Sequence, residues 1–208
     1  MSKRIAGLFI LAGLLMPVAA RADSAAWGFT PGSEVSSTSA YTVGTVFTAN
    51  QSIMVDALGY FDPNDATLSG SHQVDLFNLT TGGAAIASAT ISSSSSDYFQ
   101  NFLYVALGSS SVELIAGDQY VIEAVTGTSG DYYTHNVIGF STNLPITVNG
   151  YNYQTGTQLA SGDGVTNQTA LFGPDFGGYT VTPEPSTLLL LGSGLAGLAG
   201  LIKRKLAA

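Results

Sequence analysis

Between Asp23 and Thr182 the chain contains no lysine and no arginine, although the segment is 160 residues long and carries 13 carboxylates. All six basic residues lie outside it: Lys3, Arg4, Arg21, Lys203, Arg204 and Lys205. A domain built from this segment has only His72 and His135 as possible ion-pair partners for its acids. Every other carboxylate must be solvated, hydrogen-bonded by backbone or matched by a divalent cation. The same composition removes the residues that stabilise surface helices and leaves Ser, Thr, Gly, Val, Tyr and Phe, a β-forming mixture. A surface with no fixed cations cannot neutralise phosphates, so nucleic acid is excluded as a partner. With no cysteine in the chain, disulfides and thiol or zinc–thiolate chemistry are excluded as well.

The two ends read as export and membrane segments. Lys3 and Arg4 precede the apolar run Ile5 to Val18, and Ala20-Arg21-Ala22 supplies the small-x-small pattern that signal peptidase accepts. Cleavage after Ala22 leaves Asp23 as the mature N-terminus. A second apolar run, Leu188 to Ile202, is followed directly by Lys203, Arg204 and Lys205, which hold that end in the cytoplasm by the positive-inside rule. As a helix it measures about 22 Å at about 1.5 Å per residue, a marginal span. The expected organisation is a signal peptide over 1–22, an ectodomain over 23–181 and a tail over 182–208 with a single transmembrane helix. The implied partners are the Sec machinery, signal peptidase and the inner membrane.

The ectodomain is expected to be all-β. Strands are predicted at Tyr41–Thr48, Ile53–Tyr60, Gln73–Leu79, Ala84–Ile91, Phe99–Leu107, Val112–Ile115, Gln119–Val125, Val137–Phe140, Leu144–Val148, Tyr151–Leu159 and Gly178–Val181. Asn149-Gly150 is the strongest hairpin signal, with Thr81-Gly82-Gly83 and Ala116-Gly117-Asp118 as further turns. Many short strands with regular turns predict a single β-sandwich of jelly-roll type, with a barrel as the alternative. Ser92–Ser96 reads as a flexible loop.

The tail resembles the PEP-CTERM sorting signal of Gram-negative bacteria. The match is carried by Pro183-Glu184-Pro185-Ser186-Thr187, the Leu/Gly/Ala run and the closing Lys203-Arg204-Lys205. That resemblance implies recognition near Pro183, Glu184 and Pro185 by an exosortase, a membrane-embedded cysteine protease. It also implies delivery to the cell surface or exopolysaccharide matrix. More loosely, Leu58-Gly59-Tyr60-Phe61-Asp62, Gly70-Ser71-His72-Gln73-Val74, Ala87-Ser88-Ala89-Thr90 and Leu114 to Tyr120 resemble a β-sandwich module of exported proteins, which implies a fold and no activity.

Candidate chemistry is sparse. Asp62, Asn64 and Asp65 bring three oxygen-bearing side chains into one loop, a composition suited to calcium. The spacing is not that of an EF-hand, and an Asx/Pro turn is the favoured reading, as it is for Asp163 and Asp175 as loop residues. His72 is expected to hydrogen-bond the Asp62–Asp65 loop, and His135 to lie in an exposed loop. Tyr132, Tyr133, Tyr151 and Tyr153 are read as half-buried cross-strand residues, with a sugar-stacking platform as the competing reading. There is no Gly-x-Ser-x-Gly elbow and no His-Glu-x-x-His. The expectation is a non-enzymatic surface or matrix protein, with no catalytic residue and no cofactor, possessing a structural or polysaccharide-associated role. The alternatives are a secreted carbohydrate-active enzyme and a calcium-stabilised adhesin.

Overall fold

A computed structural model describes residues 24–36, 39–63, 68–95, 97–127, 130–156, 165–166 and 171–181. Strands make up most of the described residues and no α-helix occurs among them, so the all-β expectation holds. In chain order the strands are β1 (Ser24–Ala25), β2 (Trp27–Thr30), β3 (Ser33–Ser36), β4 (Tyr41–Ala49), β5 (Ile53–Phe61), β6 (His72–Asn78), β7 (Ala87–Ile91), β8 (Asp97–Phe99) and β9 (Phe102–Ala106). A 3-10 turn at Gly108–Ser110 leads into β10 (Val112–Leu114), β11 (Gln119–Val125), β12 (Tyr132–His135) and β13 (Ile138–Thr142). The last are β14 (Ile146–Thr155), β15 (Val165–Thr166), β16 (Leu171–Phe172) and β17 (Pro174–Thr180).

Two antiparallel sheets form the sandwich. One runs β1-β17-β5-β9-β8, with β10 also paired to β5; the other runs β15-β14-β4-β11-β6-β7. A three-stranded sheet, β16-β12-β3, and the ribbon β13-β2 complete the fold. The core follows from strand alternation: Phe47 of β4, Tyr120 and Ile122 of β11, and Val74 and Leu76 of β6 point inward and meet Val55, Leu58 and Tyr60 of β5 and Phe176 of β17. Phe47 stacks on Phe176 with centroids 5.1 Å apart and on Tyr120 at 5.8 Å, and Trp27 packs edge-on to Phe176 at 5.8 Å. These rings are fully buried, each contributing about 1.5–3 kcal/mol by burial alone.

The structure relocates one hairpin. Asn149-Gly150 makes no turn: β14 continues through it, and the pairing with β4 shifts register between Val148 and Gly150. β4 is nine residues long and offers an unbroken edge to both halves of β14, so the Asn-Gly pair is absorbed as a bulge. Asn149 Nδ2 donates to Thr48 Oγ1 at 2.7 Å. The two-residue hairpin lies instead at Gln100-Asn101, inside the segment expected to be one strand, Phe99–Leu107. Both residues have positive φ, 50° and 68°, as a type I′ turn requires, and they join β8 to β9. Thr81-Gly82-Gly83 and Ala116-Gly117-Asp118 do separate β6 from β7 and β10 from β11.

Candidate functional site

A groove lies on the outer face of the β1-β17-β5-β9-β8 sheet, with a volume of about 540 Å³, within the roughly 300–1,000 Å³ typical of ligand sites. Its floor is a row of small residues in register across four strands: Ala25 opposite Gly177, Gly177 opposite Ala57, and Ala57 opposite Ala106. On the neighbouring row the Tyr104 ring stands over Gly59 and bounds this row as a trough. Asp56 enters it because β5 is bulged there: Gly177 faces Ala57 and Gly178 faces Val55, which leaves Asp56 as the extra residue. A methyl group on Gly177 would sit 3.7 Å from Asp56 Oδ1, so the carboxylate lies over that glycine. Asp97, Tyr98 and Phe99 of the edge strand β8 line the far side, with Ser24 and Ser111 adding hydroxyls. Tyr98 is 36% exposed and Phe99 48%.

The wall beside the trough is a second cross-strand row. Asp175, Gly59, Tyr104 and Asp97 are successive register partners on β17, β5, β9 and β8. The Tyr104 ring lies over Gly59, where a Cβ would come within 2.6 Å of its Cδ1. Its hydroxyl reaches across to donate to Asp175 Oδ2 at 2.7 Å, while Phe176 N–H donates to Oδ1 at 2.7 Å. Burial pushes the Asp175 carboxyl well above the ordinary range; the Tyr104 hydroxyl and the backbone N–H groups of Phe176, Ala26 and Trp27 pull the other way. Burial likewise raises Tyr104, helped by the neighbouring carboxylate. Asp175 is therefore a buried strand residue and not a loop residue, and it fixes the wall of the groove.

The remaining expectations fall as follows. His72 is buried, and its ring hydrogen bonds go to Asp131 and Val125 in place of the expected Asp62–Asp65 loop: Nε2 meets Asp131 Oδ2 at 2.9 Å and Nδ1 meets the Val125 carbonyl at 2.9 Å. Both ring nitrogens are committed, and Asp131 also accepts the N–H groups of Ser69 and Gly70. Tyr60 stacks on the imidazole at 3.8 Å. Asp62 is fully buried at the end of β5, and its N–H donates to Asn101 O. Asn64, Asp65 and Asp163 lie outside the described residues, among which no cluster of three or more metal-ligating side chains occurs. His135 is half-buried in β12 rather than in a loop. Tyr151 packs on Phe172 and Tyr153 stacks on Tyr41, so these tyrosines are the half-buried residues of the favoured reading. The serine run turns at Ser92–Ser95, where Ser95 N–H donates to Ser92 O.

Ala20, Ala22, Pro183, Glu184, Pro185, Lys203, Arg204 and Lys205 lie outside the described residues, as does Leu188–Ile202. No helix among the described residues is long and apolar enough to cross a membrane. The groove residues went unnoticed in the sequence because Ala57, Ala106 and Gly177 carry no chemical signal singly. Only the strand register makes them a row.

Fold and site together define an antiparallel β-sandwich with an open, acidic and aromatic trough on one outer face. Residues 29–170, more than half of the chain, match the family model described as a domain of unknown function, DUF4082, and the chain belongs to that family. Residues 181–205 match the PEP-CTERM protein-sorting motif, which makes this an exported protein processed by an exosortase, membrane-associated as a precursor and targeted to the cell surface. No curated protein matches the chain.

Proposed function

We propose that the chain is a surface or matrix protein with a binding or structural role and no catalysis of its own. Sec exports it, signal peptidase removes 1–22, and the sandwich over 23–181 is separated from the tail over 182–208 near Pro183–Pro185. One observation carries this reading. β17 ends at Thr180, Val181 N–H still donates to Ser52 O at 2.9 Å, and the sorting motif begins at residue 181. Because β17 lies between β1 and β5, a cut a few residues further on removes no strand from the sandwich. Proline on both sides of Glu184 favours the extended backbone that a protease needs.

A second reading, a secreted carbohydrate-active enzyme, draws on Asp56 and Asp97 sharing one groove. A glycosidase needs one of its two carboxyls held in a shielded, desolvated setting to serve as the acid. Asp97 is exposed on an edge strand and Asp56 is only half-buried, so neither has that setting, which favours binding over turnover.

The test is the intact mass of the mature protein from its native host. Loss of 1–22 and of everything beyond the Pro183–Pro185 region is the expected result, with any added mass marking a covalent attachment. Retention of Leu188 to Ala208 would make the tail a plain anchor and remove the matrix-sorting role.

A further inference from the structure

The trough has chemistry that the surface-module reading does not specify, and the following inference rests on that reading. We propose that the groove over Ala25, Gly177, Ala57 and Ala106 binds a neutral polysaccharide chain. Phe99 would stack on a sugar C–H face, and Asp56 and Asp97 would accept hydrogen bonds from sugar hydroxyls.

Three observations select this occupant. The first is shape. The floor row crosses four strands, about 14 Å at about 4.8 Å per strand. It is longer than one sugar ring, and its small side chains leave space for a chain laid across the strands. The second is the mixture of groups. Exposed aromatic rings beside carboxylates and the hydroxyls of Ser24 and Ser111 offer apolar faces and hydrogen-bond acceptors together, which suits a ligand with alternating C–H and O–H surfaces. The third is charge. The ectodomain has no lysine or arginine to bind an anion, and two carboxylates in the trough repel uronates and sulfated sugars. A folded protein partner fits poorly, because a standard protein interface takes about 20–30 residues a side and twelve residues line this groove.

The trough is also held rigid in advance. The Tyr104–Asp175 hydrogen bond ties β9 to β17 across Gly59, and the bulge at Asp56 is closed by Leu107 N–H donating to Asp56 O at 2.7 Å. A preformed groove loses little freedom when it binds.

The experiment uses the mature protein isolated from its host. It is applied to immobilised neutral glucans, mannans and galactans beside alginate and polygalacturonate, with a chelator present so that no divalent cation bridges acid to acid. Binding to a neutral polymer and none to the anionic ones is expected. Phe99→Ala and Asp97→Asn should each weaken that binding about tenfold with an unchanged melting temperature, because both side chains are exposed. Asp56→Asn, melted in parallel, provides a variant from the opposite side of the trough.

Failure to bind any neutral polymer, preference for the anionic ones, or binding indifferent to all three variants would overturn the proposal. Release of new reducing ends would overturn it in favour of a glycosidase. The intact mass of the same preparation reads the sorting reaction independently, so correct processing without glycan binding removes the groove assignment and leaves the surface-protein reading standing.

Discussion

His72 and Asp175 show how single residues are accommodated in a domain without lysine or arginine. Both His72 nitrogens are committed, one to the Val125 carbonyl and the other to Asp131. His72→Ala removes the ring from the buried Asp131 carboxylate, which also accepts the N–H groups of Ser69 and Gly70. It is expected to cost about 3 kcal/mol in denaturant unfolding, the usual penalty for breaking a buried pair. Asp175 is the opposite case, a carboxyl whose burial outweighs its hydrogen bonds. Its pKa in the folded protein lies above its ordinary value of 3.8, so the folded state holds the proton more tightly than the unfolded chain. That contribution to stability is fully present below about 3.8 and is lost as pH rises from there through the raised value. Asp175→Asn keeps a partner for Tyr104 and has no such titration. Unfolding free energies of the two proteins, compared across that range, should diverge with the wild type losing more stability as pH rises. Parallel curves would mean that Asp175 titrates alike in both states. The absence of other cations made a histidine–carboxylate pair foreseeable. Which carboxylate His72 found was not, because residues 72 and 131 are brought together by the path of the chain between β11 and β12.

At the scale of strands, the packing of β5 against its neighbours decides both stability and the site. Gly59 is the gap through which Tyr104 reaches Asp175, and Gly59→Ala places a methyl group within 2.6 Å of the ring. The ring must leave its position or the sheet must shift, a cost of about 1–3 kcal/mol. A lowered melting temperature accompanied by exposure of Tyr104 fluorescence to quencher is the expected outcome; an unchanged Tm would mean the ring has another place to go. The turn at Gln100-Asn101 makes a separate prediction. Asn101 has φ 68°, where glycine is unstrained. Asn101→Gly is expected to leave the unfolding free energy within about 1 kcal/mol of the wild type, and a larger loss would show that the Asn101 side chain holds the β8–β9 hairpin. This turn was missed because Gln-Asn is a weak hairpin signal beside Asn149-Gly150. The stronger local signal lost because β14 gains more by pairing along the whole of β4 than by turning back. Gln119–Val125, whose two faces alternate against well-defined partners, was legible residue for residue.

For the molecule as a whole, the last strand ends at Thr180 and is already locked between two others when the sorting motif begins at residue 181. Melting curves in calcium and in chelator are expected to coincide, since the favoured reading of the loop opening at Asp62 is a turn; a calcium-dependent rise would place a cation there, because a ligand bound only by the folded state must stabilise it. The sequence alone determined the all-β class, the sorting motif and the export that it implies, since composition, strand period and a short motif are properties of consecutive residues. It also determined that the ectodomain could rely on almost no ion pairs. The tertiary structure alone decided the groove. Ala25, Asp56, Ala57, Asp97, Ala106 and Gly177 belong to five strands drawn from both ends and the middle of the chain. Their proximity depends on long-range register, and no local pattern of side chains encodes which strand will be whose neighbour.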